Sequence, residues 1–298
     1  MKIAIAGSHG LIGTYLVNDL RLKNHTVNRI VRSKNIAGIF WDPDTNYINE
    51  GKLESYDIII NLCGSSISSF NPLFVNKDLI YSSRVKTNLL LSRVISKLKN
   101  PPKYFISASG CGIYNPSKND ITENSIFGKG FLTQLAMDWE EASRFYKTPK
   151  TKVINLRFGQ VISKESIFLN IMQNLVKLLK VSSFGNGNQY WPWVSINDVV
   201  GIIDFIINSN FLEGPINIVS PQKLTSKEFL SKLAQELNIN PIFKIPNVVL
   251  KIFANKLARE VLLNNYPISP EKLQINNYSF VEADLNTVLK NLSQKSGA

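Results

Sequence analysis

Short apolar, β-branched runs alternate with longer helical patterns through the first 160 residues of the chain. Strands that are spaced by helices are typical of βαβ units, in which right-handed crossovers join parallel strands. The pattern therefore predicts an α/β fold with a Rossmann-like, doubly wound parallel sheet. The predicted strands are Lys2–Ala6, His25–Val31, Asp57–Leu62, Lys103–Ser107 and Lys152–Leu156, and the predicted helices are Leu11–Leu20, Leu73–Leu98 and Phe131–Phe145.

After about residue 160 the predicted elements become shorter and more mixed. We expect residues 1–160 to form an NADP-binding Rossmann-like domain and residues 161–298 to form a smaller lobe for substrate or partner, interleaved with the first rather than independent. Because α/β sheets bind ligands at their carboxyl edge, we expect this lobe to pack there. The predicted elements of the lobe are helices over Ile167–Lys180 and Asn197–Ile207, a strand over Pro215–Val219, and a helix that the capping-box pair Thr225 and Glu228 opens and that ends at Leu237.

The composition is that of an ordinary globular protein. With 298 residues, 44% hydrophobic and 19% charged, the chain is long enough for a large α/β domain and is neither disordered, collagen-like nor a coiled coil. It contains no long apolar run that would span a membrane and no signal-peptide pattern. Its two cysteines, Cys63 and Cys111, are too few for a disulfide framework. We therefore expect a cytoplasmic protein.

The net charge of the chain is +12, from 34 Lys and Arg against 22 Asp and Glu. Such an excess favours anionic partners, among which nucleotides, nucleic acids and membrane surfaces are the common classes. The basic residues are spread along the chain and form no run of about five to eight that would mark a nucleic-acid patch. Nucleic-acid binding is therefore not favoured.

The first predicted strand leads into a glycine-rich turn that opens the first predicted helix, with the spacing G-x-x-G-x-x-G. The first glycine permits the tight turn, the second lets a pyrophosphate approach the backbone, and the third permits close packing of helix on strand. The helix N-terminus adds free N–H groups and a partial positive charge. The predicted dinucleotide contacts of this loop are Gly7, Ser8, His9, Gly10, Leu11, Ile12 and Gly13.

The end of the second predicted strand indicates which dinucleotide is bound. A site that selects NAD has Asp or Glu there, to accept a hydrogen bond from the ribose 2′-hydroxyl. The chain has Arg32 and Ser33 at this place and no acid. The forked donors of Arg32 suit a 2′-phosphate, and the Ser33 hydroxyl adds a further donor. We therefore predict NADP(H) as the cofactor.

The third predicted strand closes on the small residues Asn61-Leu62-Cys63-Gly64, where the backbone must pass a cofactor. We predict Leu62, Cys63 and Gly64 as contacts at this point. Cys63 is interpreted as a small packing residue rather than as a reactive thiol.

The glycine spacing resembles that of extended and atypical short-chain dehydrogenases/reductases. More narrowly, the chain resembles the YfcH-like epimerase family, within the NAD-dependent epimerase/dehydratase superfamily, including that family's C-terminal segment. Cys63 stands where that family usually has alanine. The matching motifs occur in family order: Trp41-Asp42-Pro43, Asn61-Leu62-Cys63-Gly64, Ser83-Arg84-Val85, Ser107-Ala108-Ser109, Phe131-Leu132, Asp138-Trp139-Glu140, Arg157-Phe158-Gly159, Gly185-Asn186-Gly187, Trp193, Asn197-Asp198-Val199, Glu213-Gly214-Pro215-Ile216-Asn217 and Ser269-Pro270-Glu271-Lys272-Leu273.

The resemblance implies a Rossmann-like fold that binds NADP(H), with no assigned substrate. It implies that Trp41 and Ser107 contact the cofactor, together with the loop residues, Arg32, Leu62 and Gly64. It also implies that Arg157, Phe158 and Gly159 pass the nicotinamide end. Some relatives are associated with cell division, which is not readable from these residues.

Active members of the wider superfamily use a Ser or Thr with a Y-x-x-x-K pair for proton transfer. The resemblance places the serine at Ser109. The tyrosine and lysine should open the third predicted helix, but residues 131–136 there contain neither, so the usual pair is absent. Tyr114 and Lys118 have the spacing, but Pro116 between them indicates a loop. We retain Tyr114 as an acid/base candidate and leave Lys118 out.

Two classes of function remain open. The first is an NADP-dependent oxidoreductase or epimerase-like enzyme that acts on a small-molecule substrate, with Ser109 polarising a carbonyl group. The second is a non-catalytic NADP(H)-binding regulator that acts through a protein partner, for example in cell division. Arg84, on the second predicted helix, has two equal interpretations: it faces an anionic substrate, or it has a surface or capping role.

Overall fold

The computed structural model describes residues 1–65, 76–146 and 148–294. Its strands are β1 (Lys2–Ala6), β2 (Thr26–Val31), β3 (Ile39–Asp42), β4 (Tyr47–Ile48), β5 (Ile58–Asn61), β6 (Tyr104–Gly110), β7 (Lys152–Phe158), β8 (Gln160–Ile162), β9 (Val181–Phe184), β10 (Tyr190–Trp191), β11 (Trp193–Ser195), β12 (Gly214–Ile218), β13 (Leu224–Thr225) and β14 (Phe243–Ile245). Its α-helices are α1 (Leu11–Leu22), α2 (Lys77–Lys97), α3 (Phe131–Arg144), α4 (Ile167–Leu179), α5 (Ile196–Asn208), α6 (Ser226–Glu236), α7 (Asn247–Phe253), α8 (Lys256–Leu263), α9 (Glu271–Ile275) and α10 (Leu285–Gln294).

Eight strands form the main sheet, in the order β12-β7-β6-β5-β1-β2-β3-β4. All neighbours are parallel except β3 and β4. The chain order reverses at β1, which pairs with β2 on one side and β5 on the other, and ligands of open α/β sheets bind at such a switch point. The doubly wound parallel sheet predicted from the sequence is confirmed, and its switch point lies at Gly7.

Helices cover both faces of this sheet. One apolar core lies under α1 and α5, and a second lies under α2. The central strand β5 is buried along its whole length, because it lies between two strands and beneath helices on both faces. The sheet is therefore a rigid platform whose strand ends hold their positions.

The chain after residue 160 contributes to this platform as well as to a lobe of its own. β12 pairs with β7 at the edge of the main sheet, and α5 packs against α1. A third core joins α4, α6 and α10 around the aromatic side chains of Phe168, Trp191 and Phe229. The capping box predicted at Thr225 and Glu228 is confirmed at the start of α6.

Two strands run further than the sequence indicated. β6 continues to Gly110 and β7 to Phe158, whereas the predicted strands end at Ser107 and Leu156. Ser109 and Arg157 pair directly across these strands and are both buried. Leu73, where the second helix was predicted to begin, lies outside the described residues, and α2 begins at Lys77 behind an Asn76 cap.

No helix in the described part of the chain is long and apolar enough to cross a membrane.

Candidate functional site

The glycine loop between β1 and α1 forms the first wall of the site. Gly7 has a φ of 73°, which favours glycine, and a Cβ there would lie 2.6 Å from the carbonyl carbon of Leu62. A Cβ at Gly13 would overlap the Gly7 carbonyl oxygen and lie 2.7 Å from Cα of Ser8. Gly10 caps α1 without a side-chain hydrogen bond, and the first turn of α1 contains no acid. The helix N-terminus is therefore open to an anion.

Ser8 supports the assignment of this loop as a phosphate cradle. Its side chain is buried, yet its hydroxyl oxygen has no hydrogen-bond partner among the described residues. The Arg29 guanidinium donates to the carbonyl oxygen of Ser8 at 2.9 Å and ties the loop to β2. Buried polar groups are normally satisfied. The free hydroxyl therefore fits a dinucleotide phosphate that the loop would hold, while His9 beside it is exposed.

The end of β2 carries the two residues predicted to select the cofactor. Arg32 is exposed there, and Ser33 accepts a hydrogen bond from the main-chain N–H of Asn35 at 3.3 Å. The pKa of the Asp42 carboxyl is lowered, first by its hydrogen bond from Thr45 and also by the charge of Arg32. Trp41 is only 1% exposed and packs in the core under α2. The structure thus leaves the Arg32 side chain free at the surface and encloses Trp41.

A buried amide network holds the second wall of the site, after β5. Asn61 donates to the Asn88 side chain at 2.7 Å, and its own oxygen accepts from the main-chain N–H of Cys63 at 3.1 Å. Asn88 in turn donates to the Ser107 hydroxyl at 2.7 Å. This chain of contacts fixes the turn Leu62-Cys63-Gly64 against α2 and β6, and it commits Ser107 to the interior.

The two cysteines are packing residues in this structure. Burial raises the pKa of the Cys63 thiol to about 12, although Arg32 opposes the shift, and burial also raises the pKa of Cys111. The Cys111 thiol donates to the Arg157 carbonyl oxygen at 3.3 Å. Both thiols are therefore protonated at neutral pH.

We expect neither thiol to react with a disulfide reagent in the native protein at about pH 8, because the thiolate is the nucleophile. The measurement is a titration with Ellman's reagent before and after unfolding in guanidinium chloride. Two thiols should react after unfolding. Rapid reaction of either thiol in the native protein would contradict this assignment.

The predicted catalytic residues meet in one buried polar cluster. Ser109 donates to Glu140 Oε1 at 2.8 Å. Arg157 forms a bidentate pair with Glu140, at 2.7 Å from Nε and 2.8 Å from Nη2, and donates to the Tyr114 hydroxyl at 2.8 Å. Tyr114 donates to Asn217 Oδ1 at 2.6 Å. The hydroxyls of Ser109 and Tyr114 are thus engaged inside the protein.

The surroundings of Arg157 in this cluster keep its guanidinium charged. Burial alone would lower the pKa of Arg157, but the hydrogen bonds and charge of Glu140 outweigh it and raise the pKa. Burial raises the pKa of Tyr114, so its hydroxyl stays protonated. Burial also raises the pKa of Glu123, which accepts from the main-chain N–H of Asn217 at 3.0 Å. Because its hydroxyl groups and guanidinium are engaged in these contacts, the cluster is suited to hold the surrounding backbone in place.

Glu140 was quoted in the sequence only as part of a motif, and its role as the partner of Arg157 was missed. The spacing of buried residues along α3 could have indicated that Glu140 is buried. Glu140 lies four residues after Ala136 and three before Ser143, and all three face the interior. A carboxylate at an apolar-face position predicts a buried partner.

A cleft of about 390 Å³ opens beside the nucleotide loop. Ile12 and Gly64, from the two predicted cofactor-binding segments, line it. Phe158 at the end of β7 and Gly159 directly after it also line the cleft. The opposite wall comes from the later part of the chain, with Trp191 and α8. Ser109 and Tyr114 are not among its lining residues; Gly110 and Cys111 between them are.

Two further side chains of the cleft carry chemistry. Tyr266 accepts a hydrogen bond from the Asn264 amide at 3.0 Å, and burial raises its pKa. Arg84 from α2 lies against the Trp139 ring, with 5.0 Å between the guanidinium carbon and the ring centroid. Tyr266 belongs to no motif in the sequence. Its place in the cleft is evident only in the structure, where the C-terminal segment packs over Cys111.

Comparison with known proteins agrees with this geometry. The chain is 31% identical over 281 residues to an epimerase family protein of Mycobacterium leprae, covering 93% of this chain and 91% of that protein. It is 28% identical to the human epimerase family protein SDR39U1, covering 98% and 99% of the two chains. The crystal structure of human SDR39U1 with NADPH superposes with a TM-score of 0.88 at 26% identity and covers 99% of each chain.

A more distant structure, Thermus thermophilus UDP-glucose 4-epimerase in complex with NAD, shares the fold, with a TM-score of 0.73 at 17% identity. The model of the NAD-dependent epimerase/dehydratase family matches residues 3–218, which is more than half of the chain. With the glycine loop, the sheet order and the cleft at the switch point, this match shows that the chain belongs to the NAD-dependent epimerase/dehydratase family.

Proposed function

We propose that the chain is an NADP-dependent oxidoreductase or epimerase-like enzyme that acts on a small molecule held in the cleft. The observation that carries the proposal is that the cleft is continuous with both cofactor-binding segments, through Ile12 and Gly64. Residues 1–160 supply the nucleotide side, and the later lobe supplies the opposite wall. The two free, buried cysteines are consistent with a reducing, cytoplasmic location.

The cofactor would be held by the residues already placed. The open N-terminus of α1 and the free Ser8 hydroxyl take the pyrophosphate, and Arg32 with Ser33 takes the 2′-phosphate. When bound, the reduced nicotinamide supplies a hydride to a carbonyl carbon, and the carbonyl oxygen takes a proton, giving an alcohol and the oxidised cofactor. Phe158 and Gly159 line the cleft on the side proposed for the nicotinamide.

In this proposal, Ser109 and Tyr114 do not line the cleft and instead hold the backbone that shapes it. Ser109 anchors Glu140, and Tyr114 anchors Asn217, so the backbone on both sides of Gly110 and Cys111 is held in place. Tyr266 lines the cleft with a hydroxyl that burial keeps protonated. It is the tyrosine among the residues that line the cleft, and on that position we assign to it the proton given to a substrate oxygen.

The test is a titration of the purified protein with NADPH and NADH, followed by nicotinamide fluorescence. NADPH should bind more tightly than NADH, and Arg32→Glu should weaken NADPH binding by about ten- to a hundredfold, because a charge-assisted hydrogen bond contributes about 1.5–3 kcal/mol. NADH binding should change by far less, since its ribose carries no 2′-phosphate.

Lys52→Glu is the matched control, because it changes the net charge equally at an exposed lysine outside the cofactor-binding segments. It should leave the affinity for both nucleotides unchanged. An equal loss of NADPH and NADH affinity in Arg32→Glu would refute the role of Arg32. Failure of the native protein to bind either nucleotide would refute the proposed function.

A second candidate function is a non-catalytic NADP(H)-binding regulator that acts through a protein partner. The observation that favours it is the internal hydrogen bonding of Ser109 and Tyr114, combined with the absence of tyrosine and lysine from residues 131–136. A screen of carbonyl compounds and nucleotide sugars with NADPH separates the two. Turnover that Tyr266→Phe reduces supports the enzyme, whereas tight NADPH binding without turnover across the panel supports the regulator.

A further inference from the structure

Arg84 is a buried cation at the wall of the cleft. It lies near the start of α2 and is 6% exposed. Its guanidinium donates to the carbonyl oxygens of Ile80 and Ser65, both at 2.9 Å, and lies against the Trp139 ring. These contacts hold the guanidinium in one orientation beside Gly64, where the turn after β5 reaches the cleft.

No acidic side chain of the described residues forms an ion pair with Arg84. Residues 66–75, 147 and 295–298 contain no Asp or Glu. Burial lowers the pKa of Arg84 to about 10, which leaves it charged at neutral pH. A buried charge is costly unless an opposite charge accompanies it. Arg157, the other deeply buried arginine in the described part, has Glu140 for this purpose.

Two donors at this wall are also unused. Nε of Arg84 and Nε1 of Trp139 are both buried, and neither has a hydrogen-bond partner in the described part of the chain. Both side chains line the cleft, but the two nitrogen atoms themselves are closed to solvent, so the wall must shift slightly before a ligand atom reaches them. Buried donors without an acceptor are rare in folded proteins and call for a specific explanation.

We propose that Arg84 and Trp139 recognise a carboxylate group on the molecule that binds in the cleft. The proposal rests on the proposed function and specifies its substrate class: an organic acid with an apolar body. A carboxylate supplies one negative charge and two oxygens, which match one unpaired cation and two free donors.

The rest of the cleft favours a carboxylate over a phosphate. Its wall beside Arg84 is apolar, with Leu132, Leu135 and Ala136 from α3, and Leu257 from α8 faces them. Glu260 lines the same cleft and would repel a dianion more strongly than a monoanion. The apolar lining would hold a hydrocarbon body while the acid group reaches Arg84.

The experiment uses the full chain saturated with NADPH, with benzoate, benzamide and phenyl phosphate as probes in isothermal titration calorimetry. Benzamide has the shape of benzoate without its charge. We expect benzoate to bind at least about tenfold more tightly than benzamide and more tightly than phenyl phosphate. Arg84→Met should abolish the preference for benzoate over benzamide.

Arg93→Met is the matched control, since it removes an arginine from the same helix at a position that does not line the cleft. It should retain the preference for benzoate. Because Arg84→Met removes a buried side chain and can impair folding, a second measurement uses the native protein. The Nε1–H proton resonance of Trp139, assigned with Trp139→Phe, should shift downfield with benzoate and not with benzamide.

The outcomes are distinct. Three results would each overturn the proposal. The native protein could bind benzoate and benzamide equally, Arg84→Met could keep the preference for benzoate, or the Trp139 indole resonance could show no shift when benzoate is added. Tighter binding of phenyl phosphate than of benzoate would also overturn it, in favour of a phosphate-bearing ligand. Failure to bind NADPH refutes the proposed function instead, and the benzoate titration without cofactor then tests Arg84 alone.

Discussion

Replacing Glu140 with alanine is expected to lower the free energy of unfolding by about 3–5 kcal/mol, measured by urea denaturation followed by circular dichroism. Glu140 and Arg157 are each 2% exposed, and their bidentate pair is the centre of the buried cluster. Without the carboxylate, the Arg157 guanidinium is an uncompensated charge in the interior, and the Ser109 hydroxyl loses its acceptor.

Glu141→Ala is the control for this result, because Glu141 is the next residue on the same helix. Its pair with Arg144 is exposed, at 62% and 48% for the two side chains, so its loss should change stability by less than about 1 kcal/mol. The double variant Glu140→Leu with Arg157→Met should be more stable than Glu140→Ala alone, since it removes both charges. Equal effects of Glu140→Ala and Glu141→Ala would show that the cluster does not hold the fold.

Gly13→Ala is expected to reduce NADPH affinity at least about a hundredfold in the same fluorescence titration. In most helices this exchange is stabilising by about 0.5–1 kcal/mol, because alanine loses less backbone entropy. Here the new Cβ would overlap the Gly7 carbonyl oxygen and lie 2.7 Å from Cα of Ser8. The loop must therefore move, and its N–H groups leave the positions proposed for the pyrophosphate, at about 1.5–3 kcal/mol for each charge-assisted hydrogen bond lost.

Gly51→Ala is the control for this substitution. A Cβ at Gly51 would have its nearest neighbour at 3.8 Å, the side-chain oxygen of Asn49, which is an ordinary contact. Both NADPH affinity and stability should remain close to those of the native protein. NADPH affinity in Gly13→Ala equal to that of Gly51→Ala would mean that the loop does not hold the cofactor as proposed.

The sequence alone determined the doubly wound parallel sheet as a class, five of its strands and the glycine loop after the first of them. It did not predict β3 or β4, and it assigned the strand that became β12 to the later lobe. The features that it determined are local: apolar runs of strand length, helical periods, and glycines at fixed spacing each act through near neighbours in the chain. The helix start at Phe131, the capping box at Thr225 and Glu228, and the first strand lie where the pattern predicted them.

The sequence also indicated that Ser109, Tyr114 and Arg157 are important, but it did not reveal how they are connected. Their contacts join β6, α3, β7 and β12, so the partners lie between 17 and 103 residues apart in the chain. The helical and strand periods of a sequence do not indicate contacts between residues so far apart in the chain. Only the register of β6 on β7, which pairs Ser109 with Arg157, brings these residues together.

For Arg84, too, the sequence indicated a residue of interest and only the fold decided its surroundings. Its sequence motif left a substrate contact and a surface role equally open. Tertiary packing buried it against Trp139 at the wall of a cleft, with no ion-pair partner among the described residues. It thereby differs from Arg157, which the fold provides with Glu140. Local pattern therefore determined where the elements of this protein run and where its nucleotide loop lies. Tertiary structure decided which of its buried charges are paired, because pairing depends on what the fold brings together from distant parts of the chain.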